Sequence, residues 1–211
     1  MWKKIIVTIM CICFLFTNIS CVIADNTDNE DINVYEIIQT CSKNVDKQPE
    51  IQSKIAVAYD RTSGRVIWGK DENKRSAMAS TTKIMTAIVT LENANLDDIV
   101  TVSSKAAWTG GSSLNLKPGD KVKLNDLLYG LMLRSGNDAA VAIAEYVGGS
   151  VEGFADLMNQ KAEQMGLVDT HFVTPHGLDD PNHYTTAKEL AIMADYAMGN
   201  EKFSEIVGTK T

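Results

Sequence analysis

Ala79-Ser80-Thr81-Thr82-Lys83-Ile84-Met85-Thr86-Ala87 is the stretch on which the reading of this chain turns. It sets a hydroxyl and an amine three residues apart, where the sequence becomes apolar. From Thr81 to Glu92, Ile84, Ala87, Ile88 and Leu91 recur at helical spacing. Positions i and i+3 share a helix face, so the Ser80 oxygen and the Lys83 amine can meet. Serine is a poor nucleophile until a neighbouring base activates it. A lysine crowded into an apolar site loses its charge more easily and can be that base. At the helix start, free backbone N–H groups and the positive dipole end favour a developing oxyanion. Taken alone, the pair reads more readily as a helix cap and a solvated amine.

Upstream, Ile55 to Asp60 and Arg65 to Gly69 are apolar and partly β-branched. Between them, Arg61-Thr62-Ser63-Gly64 supplies a turn, which predicts a β-hairpin. Downstream, Leu96 to Val102 reads as extended, and Trp108 to Pro118 as an exposed loop rich in Gly and Ser. Asp126 to Leu133 is a strongly apolar short helix, and Asp138 to Tyr146 a second, ended by Gly148-Gly149. Val151 to Met165 is amphipathic and closed by Gly166. His171 to Tyr184 is a loop with Pro175, Gly177 and Pro181. Thr186 with Glu189 predicts a capping box for a helix to about Met198, and Lys202 to Val207 a further turn. Met85, Met132, Met158, Met165 and Met193 fall on apolar faces and are expected in the core. A lone hairpin leaves sheet edges unpaired, so the sheet looks incomplete.

Residues 1–24 carry Lys3-Lys4, an apolar run from Ile5 to Phe16, and Val22-Ile23-Ala24 before a cleavage point. That is the layout of a secretory signal peptide, with an apolar run too short for a comfortable membrane span. Lipidation at Cys21 is the alternative. Residues 25–54 are expected to be a flexible polar segment, with a short helix from Val34 to Cys41. Cleavage would leave Cys41 as the sole cysteine, so no internal disulfide could form. Residues 55–211 hold the folded domain. The net charge of -7 and the absence of a basic cluster argue against nucleic acid as a partner.

Ser135-Gly136-Asn137 breaks two apolar helices with a polar tripeptide, and such a break needs a reason. A hydroxyl and a carboxamide on a buried turn could relay a proton and hold an amide. By itself the tripeptide reads more simply as a helix-to-helix turn, with Ser135 or Asn137 as N-cap. Beside Ser80 and Lys83, it completes the layout of the penicillin-binding proteins and serine β-lactamases. The surrounding sequences narrow this further. Met78 to Ala87, Leu133-Arg134-Ser135-Gly136-Asn137-Asp138-Ala139-Ala140, and Thr174-Pro175-His176-Gly177-Leu178-Asp179-Asp180 through Thr186 resemble the low-molecular-mass D-alanyl-D-alanine carboxypeptidases. The resemblance extends over roughly residues 50–207.

The resemblance implies an α/β (α+β) transpeptidase fold of the penicillin-binding-protein/β-lactamase type: a helical region plus an incomplete antiparallel sheet. It implies catalytic roles for Ser80 as nucleophile, Lys83 as its base and Ser135 as proton relay, with Asn137 binding substrate. The Ser80 N–H would supply half of an oxyanion hole. Implied partners are peptidoglycan stem peptides and β-lactam antibiotics, with no cofactor or metal. The implied location is secreted, on the extracytoplasmic face of the bacterial membrane or in the wall. Peripheral membrane association is expected only through a C-terminal region absent from these residues.

The sequence departs from the family at its far end. A Lys-Thr-Gly motif on a strand facing the nucleophile is expected, and the chain ends at Gly208-Thr209-Lys210-Thr211. Lys210-Thr211 follows Phe203 to Val207 too directly to be that motif, so the chain is expected to be truncated before it. A catalytically incompetent fragment is therefore one alternative reading; a serine β-lactamase, which shares the layout but needs an added acidic residue to position water, is the other. His176, Asp179, Asp180 and His183 match no compact zinc spacing, and a loop at the rim of the site is expected there. No Gly-x-Ser-x-Gly elbow or phosphate-loop lysine pattern occurs.

Overall fold

The computed structural model describes residues 50–210. The leader, the Val34 to Cys41 segment, Cys41 and Thr211 lie outside the described residues. The described residues from Gln52 onward form one structural unit.

The hairpin forms as its sequence predicts, from β1 (Ala56–Asp60) and β2 (Arg65–Lys70), paired antiparallel with an irregularity between Ala58 and Tyr59. Its turn is built by Asp60, whose carboxylate accepts from the Thr62 and Ser63 N–H groups at 3.0 and 3.2 Å. Gly64 takes φ +68, a left-handed value that costs glycine little.

The nucleophile stretch differs from the single helix expected over Thr81 to Glu92. Ala79–Thr82 is a 3-10 turn, and α1 runs from Lys83 to Asn93. Ser80 thus lies on the tighter turn that leads into α1, and Lys83 on the first residue of α1. The i, i+3 relation survives because a 3-10 turn has three residues per turn, which places these side chains one above the other.

Residues 96–102 were expected to be extended. Only Ile99–Thr101 forms strand β3, and it pairs with β4 (Lys121–Lys123), which the sequence pattern did not predict. Between them, Ser104–Ala107 makes the short helix α2, also unforeseen, with Ser103 Oγ capping the Ala106 N–H at 3.0 Å. Only Val122, opposite the buried Val100, is apolar in β4, so there is almost no alternation to read.

Helices α3 (Leu124–Arg134), α4 (Asn137–Gly148), α5 (Val151–Gln164), α6 (Ala187–Met198) and α7 (Glu201–Val207) complete the described fold. α1 packs against all five, so its apolar face is the spine of the core. Met85, Ala87, Ile88 and Val89 of α1 are buried, with Leu124, Leu127, Leu128 and Leu131 of α3. In α4 every residue from Asn137 to Ala144 is buried. A helix enclosed on all sides suits this position, and its alanines let neighbours approach closely. Met85, Met158 and Met193 are fully buried, while Met132 and Met165 pack at the core's margin.

Thr186 caps α6 by accepting from the Glu189 N–H at 3.1 Å. The reciprocal half of the predicted capping box is not made. The buried Glu189 carboxylate turns instead to the Asp169 N–H, at 3.0 and 3.1 Å, and to the Thr170 hydroxyl. A buried carboxylate favours several donors from a neighbouring loop over one at its own helix end. Among the described residues, no helix is long and apolar enough to cross a membrane.

Leu128 is fully enclosed, whereas Ile67 on β2 is 71% exposed. Leu128→Ala is expected to lower unfolding free energy by about 2–5 kcal/mol. Ile67→Ala should change it by no more than about 0.5 kcal/mol. Urea denaturation of both variants checks the placement of the core.

Candidate active site

Three segments converge on Lys83. The 3-10 turn brings Ser80, the junction of α3 and α4 brings Ser135 and Asn137, and the loop before α6 brings His176. The Lys83 amine donates to Ser80 Oγ and Ser135 Oγ at 3.2 Å each, and to Asn137 Oδ1 at 2.8 Å. It also donates to the His176 carbonyl at 3.2 Å. Ser135 Oγ in turn lies 3.0 Å from Ser80 Oγ, which closes a triangle of two hydroxyls and one amine. All four residues expected to form the site are therefore brought together.

The electrostatics of Lys83 follow from burial. The residue is 2% exposed, and among the described residues no carboxylate pairs with it. Desolvation penalises the charged amine and brings its pKa from 10.5 to about 8. Neutral oxygens surround it and can accept from either protonation state. About a tenth of the amine is then neutral at pH 7, far more than for an exposed lysine. Ser80 itself is exposed, as the expected role of nucleophile would require.

The α3–α4 junction explains how Ser135 reaches this point. Ser135 ends α3 in the left-handed region, at φ 58, and its N–H bonds to the Gly130 carbonyl. A non-glycine residue there carries strain, and such strain persists only where surroundings hold it. Asn137 N–H donates to Ser112 O at 2.7 Å, and Asn137 Nδ2 to Gly110 O at 2.7 Å. The junction and the 110–112 loop therefore fix each other. Ser135 is a C-cap and Gly136 the N-cap of α4, so neither Ser135 nor Asn137 is the plain N-cap that the simpler reading offered.

Asp138 was not singled out by its sequence. Its buried carboxylate accepts from Ser113 Oγ at 2.7 Å, the Leu114 N–H at 2.9 Å, the Leu116 N–H at 3.1 Å and the Ala139 N–H at 2.9 Å. Burial pushes its pKa up, but these hydrogen bonds outweigh burial and hold it below the usual carboxylate value. Asp138 thereby straps the 113–116 loop to the start of α4. An acid inside an apolar helical run was the available signal, but an acid in a helix's first turn is common enough to pass unread.

The loop from His171 to Tyr184 closes behind the nucleophile turn. Gly177, at φ +84, lies so close to the Ala79 carbonyl that a β-carbon there would overlap it. His176 accepts the Leu178 N–H on Nδ1 at 3.1 Å. Burial, then the nearby Lys83 and His183, lower its pKa to about 4, so it adds no charge beside the amine. His183 is buried, and burial likewise lowers its pKa. His176 thus meets the Lys83 amine through its carbonyl, and His183 Nε2 lies 2.7 Å from Thr82 Oγ1, contacts the sequence reading did not foresee. Among the described residues, no three His, Cys, Asp or Glu side chains are grouped to hold a metal ion. Lys210 is exposed, follows the end of α7 at Gly208, and is itself in no strand.

A serine on a tight turn before a buried helix, a lysine three residues on, and a Ser-Gly-Asn junction facing both have the layout expected of the penicillin-binding class. The family model for D-alanyl-D-alanine carboxypeptidase, peptidase family S11, matches residues 42–211, and the chain belongs to that family. The D-alanyl-D-alanine carboxypeptidase DacF of Bacillus subtilis is 40% identical over 163 residues, covering 75% of this chain and 42% of DacF. DacC of Escherichia coli is 37% identical over 174 residues, covering 73% of this chain and 44% of DacC. The chain therefore spans less than half the length of these curated relatives. A variant of the Streptomyces K15 DD-transpeptidase superposes with a TM-score of 0.74 at 37% identity, covering 77% of this chain and 67% of that one. The D-alanyl-D-alanine carboxypeptidase DacD of Francisella tularensis gives 0.73 at 36% identity, covering 80% and 44%.

Gly177→Ala tests how tightly the loop holds the nucleophile turn. The added β-carbon meets the Ala79 carbonyl, at a φ that alanine adopts only with strain. The expected cost is at least about 2 kcal/mol of stability by urea denaturation. A change under about 0.5 kcal/mol would show that the contact is loose.

Proposed function

We propose that this protein removes the terminal D-alanine from peptidoglycan stem peptides through an acyl-enzyme on Ser80. The observation that carries the reading is the amine of Lys83, 3.2 Å from both Ser80 Oγ and Ser135 Oγ, with its pKa lowered to about 8 by burial. The neutral amine takes the Ser80 proton as Oγ forms a bond to the penultimate D-alanine carbonyl carbon. The tetrahedral oxyanion sits by the Ser80 N–H. The carbonyl–nitrogen bond then breaks. Ser135, 3.0 Å from Ser80 Oγ and 3.2 Å from the Lys83 amine, passes the proton to the leaving nitrogen. Free D-alanine departs as an amine. Water attacks the ester, and its proton returns to Ser80 Oγ by the same groups.

Asn137 is proposed to bind the substrate's amide. Its Oδ1 is held by Lys83 and one Nδ2 hydrogen by Gly110 O. The second Nδ2 hydrogen is the one proposed to meet the substrate. A β-lactam ring presents a strained amide to the same serine and leaves an acyl adduct. The leader-like residues 1–24 support action outside the cytoplasm, where wall peptides are found.

Two assays on the purified protein test the proposal together: labelling by a fluorescent penicillin and release of D-alanine from a peptide ending in D-Ala-D-Ala. Ser80→Ala is expected to abolish the label and to cut release by at least about 10³-fold. Ser135→Ala should slow acylation by about 10²–10⁴-fold, as loss of proton transfer does. Label that survives Ser80→Ala sinks the assignment of the nucleophile. Rapid turnover of penicillin without release of D-alanine would mark a β-lactamase instead.

A further inference from the structure

A line of hydrogen bonds behind the nucleophile turn has no part in the chemistry just described. Val173 N–H donates to His183 Nδ1 at 3.0 Å, and Thr174 N–H approaches the same nitrogen at 3.4 Å. A nitrogen that accepts from backbone N–H cannot carry a proton itself, so the hydrogen of neutral His183 is on Nε2. Nε2 lies 2.7 Å from Thr82 Oγ1, to which it must then donate. Thr82 Oγ1 donates its own hydrogen to the Ala79 carbonyl at 2.7 Å. Every donor in this line points one way, from the 173–174 backbone to Ala79.

The line ends on a peptide plane that matters. Ala79 C=O and Ser80 N–H belong to the same peptide unit, and no described peptide bond is cis. In a trans peptide the two groups point in opposite directions. The carbonyl is drawn inward by Thr82 and backed by Gly177, so the Ser80 N–H is turned outward toward the exposed Ser80 side. The first bond of the turn is Thr81 N–H to Met78 O, so the turn makes no demand on the N–H of Ser80. Ala79 itself holds φ +46, where a non-glycine residue is strained and inclined to relax. His183 is 3% exposed and lies edge-on to Phe172, with ring centroids 5.7 Å apart, so its own ring is fixed from the far side.

We propose that His183 is a positioning residue: by donating to Thr82 it locks the Thr82 hydroxyl on the Ala79 carbonyl and so aims the Ser80 N–H at the oxyanion. The proposal rests on the acyl-enzyme reading for its consequence in rate, and on the free structure alone for the aim of the N–H. His183 touches no substrate in this role. Its effect runs through Thr82 and the Ala79–Ser80 peptide.

The test compares His183→Phe, His183→Gln and Thr82→Val in the purified protein. Phenylalanine keeps the ring and its packing but cannot donate, whereas glutamine places an amide N–H near the former Nε2. The acylation rate constant with a penicillin should fall about 10- to 100-fold in His183→Phe and Thr82→Val, with the preceding non-covalent dissociation constant unchanged. His183→Gln should recover to within a few-fold of the parent. The double variant His183→Phe with Thr82→Val should lose no more than either alone, because both cut one line. In the free protein, the Ser80 amide resonance should shift or broaden in both single losses, while Val89 in α1 keeps its slow hydrogen exchange. That last reading needs no enzymatic activity. If the parent is not acylated at all, the acyl-enzyme reading fails, and the Ser80 amide still reports on the positioning. If His183→Phe leaves both acylation and the Ser80 amide unchanged, the proposal is overturned. If His183→Phe does not fold, Thr82→Val decides by the same two readings.

Discussion

The site depends on one uncompensated amine. Lys83 is buried at the start of α1 with two hydroxyls, a carboxamide oxygen and a backbone carbonyl, and none of these carries charge. A carboxylate in any of those positions would have kept the amine protonated. The lowering from 10.5 to about 8 corresponds to about 3 kcal/mol at 1.36 kcal/mol per unit. That amount opposes keeping the charged amine in the fold. The sign follows: the native state releases this proton more readily than the unfolded chain. Stability therefore rises with pH between about 8 and 10.5, and below about 8 the burial of a charged amine counts against the fold. A core of buried leucines and alanines around α1 offsets this cost.

Much of the remaining structure keeps that amine and its hydroxyls in register. Two residues of the turns that reach it sit in the left-handed region, Ala79 at φ 46 and Ser135 at φ 58. Each belongs to a short junction that leads into a buried helix, and each is held from behind. The Ala79 turn is held by Thr82, His183 and Gly177. The Ser135 turn is held by Asn137 and Asp138 through the 110–116 loop. Leu114 also packs so tightly against Gly130 and Gly136 that neither position has room for a β-carbon. With both turns held in these conformations, the two serine oxygens lie 3.0 Å apart.

What could be read from the sequence had local causes. The Ser80–Lys83 spacing, the helical periods, the hairpin turn at Gly64 and the break at Ser135-Gly136-Asn137 are all written within a few residues of one another. The 3-10 form of the Ala79–Thr82 turn was not legible, because the Gly177 backbone that lies against its Ala79 carbonyl is almost a hundred residues away in sequence. β4 was missed because a single valine between two lysines carries no pattern until Val100 lies opposite it. Asp138 and His183 were missed as supports for a related reason. Their partners, Ser113 to Leu116 and Thr82, are distant in sequence, and neither residue type is a usual member of a core. Glu189 has the right spacing for a capping box, yet its carboxylate bonds the Asp169–Thr170 loop instead.

The central claim is that burial without a counter-charge makes Lys83 a base near neutral pH. Selective carbon-13 labelling of lysine side chains, followed by NMR titration, reads this directly, with Lys83→Arg identifying the resonance. A midpoint near 8 is expected for Lys83, well below the ordinary lysine range. A Lys83 midpoint above about 10 would contradict it, because the amine would then remain protonated wherever the fold places it.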